Sequence, residues 1–374
     1  MYAQSPRPGG PSGASARRFA TALAIALAAG ALFAWLHTPL PWLIGPLLAC
    51  GLASTLGAPL HSYAVSRNAG MWVIGTALGL YFTPEVVARL ASLWWPIVLA
   101  VAWAVALGIA GAWPLRRFAR LDPPTAFFAA AVGGASEMAL QGERHGGRVE
   151  AIAASHSLRV LLVVMVVPFA FRWLGLHGSD PFVAGATHFD LAGMTMLVAA
   201  TVAGGLAMRA LRTPNPWILG PLLVAVGVTA SGATWSALPV AVINAGQLLI
   251  GVSLGTRFEP GFFSRAPRLL GVVALMSLGA IAATAIFGAA LGVLVDVPAA
   301  TMVLATSPGG IAEMSLTARM LDLGVPVVTA FHAARLVAQV LIVGLVYRLL
   351  ASYLGWPVPA SLASRASPPR KSPD

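Results

Sequence analysis

Long apolar runs decide what this chain can become. Residues 19–36, 93–113, 152–174, 191–211 and 269–295 are such runs, and stretches of about 18–25 apolar residues are the signature of transmembrane helices. Shorter or glycine-rich runs lie between them, at 41–56, 69–82 and 124–140, with later counterparts. Only 9% of the 374 residues are charged, against roughly 25% in soluble domains. A soluble chain of this composition would have too few polar groups to cover its surface. The expected class is an all-α polytopic membrane protein.

The formal charge of +11 raises the question of nucleic acid. Arginines gather in the cytoplasmic loops of membrane proteins, and no basic run here is long enough for a DNA-binding arm, so no nucleic-acid partner is expected. The single cysteine, Cys50, rules out an intrachain disulfide and a thiolate metal cluster. Residues 1–18 are rich in Pro, Gly and Ser and read as a disordered cytoplasmic N-terminus. Arg17 and Arg18 ahead of an apolar run resemble a signal peptide, but the run is long and further spans follow, which favours an uncleaved first helix. Residues 351–374 read as a polar C-terminal tail.

The chain is written twice. PWLIGP at Pro41 returns as PWILGP at Pro216, an offset of 175. At an offset of 176, Gly70, Gly75, Gly79 and Phe82 meet Gly246, Gly251, Gly255 and Phe258. VGGASEM at Val132 meets PGGIAEM at Pro308, and His156 and Arg159 meet His332 and Arg335. The expected organisation is membrane repeat 1 over 19–174, a linker over 175–188 and membrane repeat 2 over 189–350.

Loop arginines indicate how the repeats are related, because Lys and Arg favour the cytoplasmic side. With Arg159 and Arg335 set aside, twelve crossings place 12 basic residues inside and 9 outside. If 124–140 and 300–316 each dip in and return, the division becomes 18 to 3. The expectation is therefore two inverted repeats with about ten transmembrane helices, two broken or re-entrant segments and both termini in the cytoplasm.

Inverted repeats with broken helices are a transporter architecture. Irregular backbone at membrane depth survives only where protein or a water-filled cavity satisfies it, so each glycine pair, Gly133–Gly134 and Gly309–Gly310, marks a candidate substrate or ion site. Glu137 and Glu313 fall in the first turn of the half-helix expected after each pair, where the dipole favours a carboxylate. His156 and Arg159 share a helix face, as do His332 and Arg335, and Gln339 extends the second face. Buried charges in a membrane helix suggest function and call for a partner; Glu137 for Arg159 and Glu313 for Arg335 are the expected pairs. Such pairs also serve as plain helix-to-helix bolts, and the histidines as packing or capping groups. As metal ligands they lack a supporting cluster. The PW(L/I)(I/L)GP motifs read as structural, with Pro in a first helical turn and Trp in an interface belt. The Gly75/Gly79 and Gly251/Gly255 spacing reads as tight helix packing. No nucleophile elbow, phosphate loop or metal-ligand cluster appears; no enzyme activity, catalytic residue, metal or cofactor is expected.

The doubled PWLIGP/PWILGP and GGASEM/GGIAEM followed by His-x-x-Arg resemble the membrane AbrB-duplication family of bacteria, and the resemblance covers both halves. Its members are named as AbrB-type regulators of gene expression or as ammonia monooxygenases, and the family looks transporter-like. The resemblance implies a multi-pass protein of the bacterial inner membrane. The soluble AbrB DNA-binding fold, a small swapped β-hairpin, fits no segment here, and a monooxygenase would need a redox metal or flavin. The leading expectation is an ion-coupled secondary transporter of a small anionic metabolite, with any effect on gene expression indirect. The alternative is a membrane-bound regulator acting through a partner, with a membrane enzyme third. Expected partners are a small-molecule or ion substrate and the lipid bilayer, with a homo-oligomer left open.

Overall fold

The computed structural model describes residues 13–179, 185 and 188–356, and contains helices but no strand among them. In chain order the helices are α1 (Gly13–Trp35), α2 (Pro41–Thr55), α3 (Ala64–Gly79), α4 (Pro84–Ala91), α5 (Trp94–Arg117), α6 (Pro123–Ala130), α7 (Ala135–Arg144), α8 (Val149–Trp173), α9 (Leu191–Ala210), α10 (Pro216–Ala230), α11 (Val240–Gly255), α12 (Phe262–Arg265), α13 (Pro267–Val295), α14 (Ala299–Thr306), α15 (Ile311–Met320) and α16 (Val325–Leu354). Six of them, α1, α5, α8, α9, α13 and α16, are long and apolar enough to cross a membrane. Their length and hydropathy make the chain a multi-pass membrane protein. The other apolar helices, such as α2, α10 and α11, have 15 or 16 residues and rise only about 23 Å, short of the roughly 30 Å of a bilayer's hydrocarbon core.

The expected N-terminal tail over 1–18 is helical from Gly13 onward, and its first twelve residues lie outside those described. Most of the expected C-terminal tail and part of the 175–188 linker also lie outside them.

The compact units of the chain do not follow its repeats. One unit draws on Met1–Leu80 and Ala184–Arg265, the other on Tyr81–Val183 and Ala266–Asp374. Each therefore takes a matching portion of both halves. In the first unit α2 packs on α11 and α3 on α10, an exchange in which each half supplies what the other lacks. The glycine spacing explains the fit. A Cβ on Gly75 would lie 2.5 Å from the Ile218 carbonyl oxygen, and one on Gly79 2.8 Å from that of Leu222. Gly251 and Gly255 stand at the same 2.5 and 2.8 Å from the carbonyl oxygens of Leu43 and Leu47. Small residues let membrane helices meet backbone to backbone.

The doubled hexapeptide belongs to the same unit. Pro41 and Pro216 occupy first-turn positions, after Leu40 and Asn215 in left-handed conformation. The Trp42 ring lies over Gly30 of α1 and the Trp217 ring over Gly205 of α9. These tryptophans thus cover glycines of the preceding helix, where the sequence suggested an interface belt. Gly45 lets α2 approach the Ala29 carbonyl of α1, and Gly220 lets α10 approach that of Gly204.

In the second unit the exchange recurs: α13 packs on α8, and α5 on α16. Two short helices in series, α6–α7 and α14–α15, are interrupted at residues 131–134 and 307–310.

Candidate functional site

All ten candidate residues lie in the second unit, around the two interruptions. Each interruption is four residues long and falls at the same place in its half. The backbone turns extended at Ala131 and Ser307. Gly134 and Gly310 then cap the N-termini of α7 and α15. The φ angles of Gly134 and Gly310, −66° and −88°, are open to any residue, so space and not backbone angle sets Gly310. A Cβ on Gly133 would meet Met138 at 2.9 Å, and one on Gly309 would meet Met314 at 2.6 Å. On Gly310 it would collide with the Glu313 carboxylate. Glu137 and Glu313 sit in the first turns of α7 and α15, where the exposed amides favour negative charge.

The last carbonyls of a helix lack intrahelical partners, and where they are buried something in the protein has to meet them. Here the His-x-x-Arg face does so. His156 Nε2 donates to the Phe128 carbonyl at 2.9 Å, and Arg159 donates to the Ala130 carbonyl at 3.1 Å. His332 Nε2 donates to the Leu304 carbonyl at 2.9 Å; Arg335 donates to the Ser307 carbonyl at 2.5 Å and to that of Gly309. Each arginine also donates to the Nδ1 of its own histidine, at 2.6 Å for Arg159 and 2.8 Å for Arg335. With Nδ1 accepting and Nε2 donating, the network assigns both histidines as neutral with the proton on Nε2.

These contacts stand beside the expected Glu–Arg pairs. Arg159 and Arg335 take carbonyl oxygens and imidazoles as partners, because the broken ends of α6 and α14 present unsatisfied carbonyls and the negative pole of a dipole. The backbone supplies these acceptors whatever the residue type, so no sequence pattern announces them. Phe128, Ala130, Leu304 and Ser307 accordingly escaped the sequence reading, whereas Gly309 was among its candidates. The histidine contacts with the Phe128 and Leu304 carbonyls are of the capping kind considered from the sequence.

Both arginines are buried, Arg159 at 4% and Arg335 at 9% exposure, and the charge of Arg159 acts on Arg335. A guanidinium carries five N–H donors; Arg335 uses three and Arg159 two in the bonds above. Arg159 Nε is buried without a partner, as is Nε2 of Gln339, one turn beyond Arg335. The site thus holds two like charges near one another with donors to spare, a suitable setting for an anion.

The two half-helices that follow the breaks differ. From Ile311 to Ala318, α15 is buried throughout, whereas α7 buries only Met138 and Gly142. Glu313 is buried and Glu137 half-buried. Among the described residues no group of three or more His, Cys, Asp or Glu is placed to hold a metal.

Fold and site together define a duplicated helical membrane protein with two broken helices, each capped by a His-x-x-Arg face. The chain belongs to the AbrB family: the family model described as "Transition state regulatory protein AbrB" matches residues 42–351. A Bacillus subtilis (strain 168) relative, "Uncharacterized protein YhjN", is 27% identical over 352 residues, covering 88% of this chain and 92% of that protein. An Escherichia coli (strain K12) relative, "Putative regulator AbrB", is 25% identical over 325 residues, covering 86% and 93%. No solved structure matches the chain.

Proposed function

We propose that the chain is an ion-coupled secondary transporter of a small organic anion, located in the bacterial inner membrane, with the anion bound between Arg159 and Arg335. The observation that carries this reading is the pair of buried guanidinium groups whose hydrogen-bond partners are neutral. Two buried like charges near one another are costly, and an anion taking the spare donors relieves both that cost and the mutual repulsion.

Two further features support transport. The reciprocal packing of the repeats in each unit, together with the 18-to-3 division of arginines, fits inverted repeats and about ten crossings. The unequal burial of α7 and α15 fits one state of an alternating-access cycle, with one break open and the other closed. For the topology, a cysteine at Ser179 is expected to react with an impermeant maleimide from outside the cell, and one at Ser264 only from inside. Labelling of both from one side rejects the inversion.

The name of the E. coli relative favours a second reading, control of gene expression. In that reading transport of a signal, or contact with a regulatory partner, links the membrane protein to transcription. If transport is the link, the Arg159→Gln/Arg335→Gln double variant should change expression as deletion of the gene does, whereas a double variant that keeps normal expression favours a regulatory partner.

A further inference from the structure

The second unit contains a cavity of about 740 Å³. It is lined by Arg89, His177, Pro298, Thr301, Asp322 and Gly324, among others. That volume lies within the usual range for small-molecule sites. Two helix N-termini open onto it: α14 starts after Pro298, and α16 starts after Gly324.

The duplication shows what belongs there. At an offset of 176, Asp122, Thr125 and Arg148 correspond to Pro298, Thr301 and Gly324. One contact is common to both halves: the Arg148 amide donates to Thr125 Oγ1 at 2.8 Å, and the Gly324 amide donates to Thr301 Oγ1 at 3.2 Å. The backbone frame is therefore the same. The filling differs. In the first half the Asp122 carboxylate caps α6, accepting from the Thr125 amide at 2.9 Å, and lies 3.3 Å from Arg148 Nε. In the second half Pro298 offers no side-chain cap to α14. Gly324 supplies no side chain either, and its missing Cβ would meet Thr301 Cγ2 at 2.8 Å. The carboxylate and guanidinium that pair at this place in one half are both absent from the other, where Pro298 and Gly324 line the cavity.

We infer that this cavity binds a small organic carboxylate, whose anionic group rests on the first-turn amides of α14 where Asp122 stands in the first half. Helix N-termini favour such groups. Arg89, at the end of α4, adds positive charge to the lining; Asp322 opposes it and limits affinity. The cavity is separate from the arginine site, and the inference does not depend on it.

Ser179 also lines the cavity, and the native Cys50 is buried. Maleimide labelling of Ser179→Cys in the purified full chain therefore reports locally. Sodium succinate is expected to slow the labelling several-fold, and sodium chloride at equal ionic strength to leave it unchanged. Adding Pro298→Asp restores the internal carboxylate, so protection should disappear while the thermal midpoint holds or rises. Arg89→Gln should weaken protection, and it serves as the decisive variant if Pro298→Asp does not fold. Asp322→Asn should lower the succinate concentration that gives half-protection. Arg335→Gln should leave protection intact, even if the arginine site proves to bind nothing. Equal protection by chloride, full protection in Pro298→Asp or Arg89→Gln, or its loss in Arg335→Gln would each overturn the inference.

Discussion

Arg335→Ala is expected to abolish anion binding and to lower stability by about 3 kcal/mol, since a buried acceptor stripped of its donor costs about 1–3 kcal/mol. Three acceptors lose their donor at once: the carbonyls of Ser307 and Gly309 and the Nδ1 of His332. Arg159→Ala strips two, the Ala130 carbonyl and the Nδ1 of His156, and should cost less. Stability loss alone is what a purely structural cap predicts. Arg335→Gln separates the roles: its amide can still donate to a carbonyl but carries no charge. That variant should recover part of the stability and none of the binding. Thermal midpoints in detergent, with and without anion, measure both effects. If Arg335→Gln binds anions as the parent does, Arg335 is a cap and nothing more.

Gly251→Leu is expected to produce the largest loss of folded protein. Its Cβ would lie 2.5 Å from the Leu43 carbonyl oxygen and 2.9 Å from Pro46 Cβ. Both neighbours belong to α2, whose backbone has no side-chain freedom with which to yield, so α2 and α11 must separate. Overpacking costs about 1–3 kcal/mol where side chains can adjust; here the cost should reach about 3 kcal/mol or more. Gly227→Leu provides the control in the same unit, because nothing lies within 4 Å of its added Cβ. Leucine there should be neutral or stabilising by about 0.5–1 kcal/mol through helix propensity. The yield of folded protein by size-exclusion chromatography distinguishes the two. Equal yields would show that α2 and α11 do not meet at Gly251.

Much of this was legible in the sequence for definite physical reasons. Apolar runs give helices because lipid leaves the backbone few alternatives. The PWLIGP/PWILGP and GG repeats announced the duplication, and the 75/79 and 251/255 glycines announced close packing. Residue order could not show that the halves trade elements: α2 finds α11, and α13 finds α8. The carbonyl partners of Arg159 and Arg335 were hidden for a different reason. Charge complementarity pointed to Glu137 and Glu313, while the carbonyls exposed where α6 and α14 stop belong to the backbone and leave no mark in the residue pattern. The cavity near Pro298 was equally hidden. Aspartate and arginine at 122 and 148 against proline and glycine at 298 and 324 look like ordinary divergence until the shared Thr125 and Thr301 contacts align the two frames.

The arginine site is tested most directly by a thermal-shift screen of small metabolites on the purified protein and on the Arg159→Gln/Arg335→Gln double variant. The account predicts that one or more organic anions, and no cation or neutral compound, raise the midpoint of the parent protein and leave that of the double variant unchanged. An anion that stabilises both proteins equally, or a screen in which only cations or neutral compounds stabilise the parent, would contradict it.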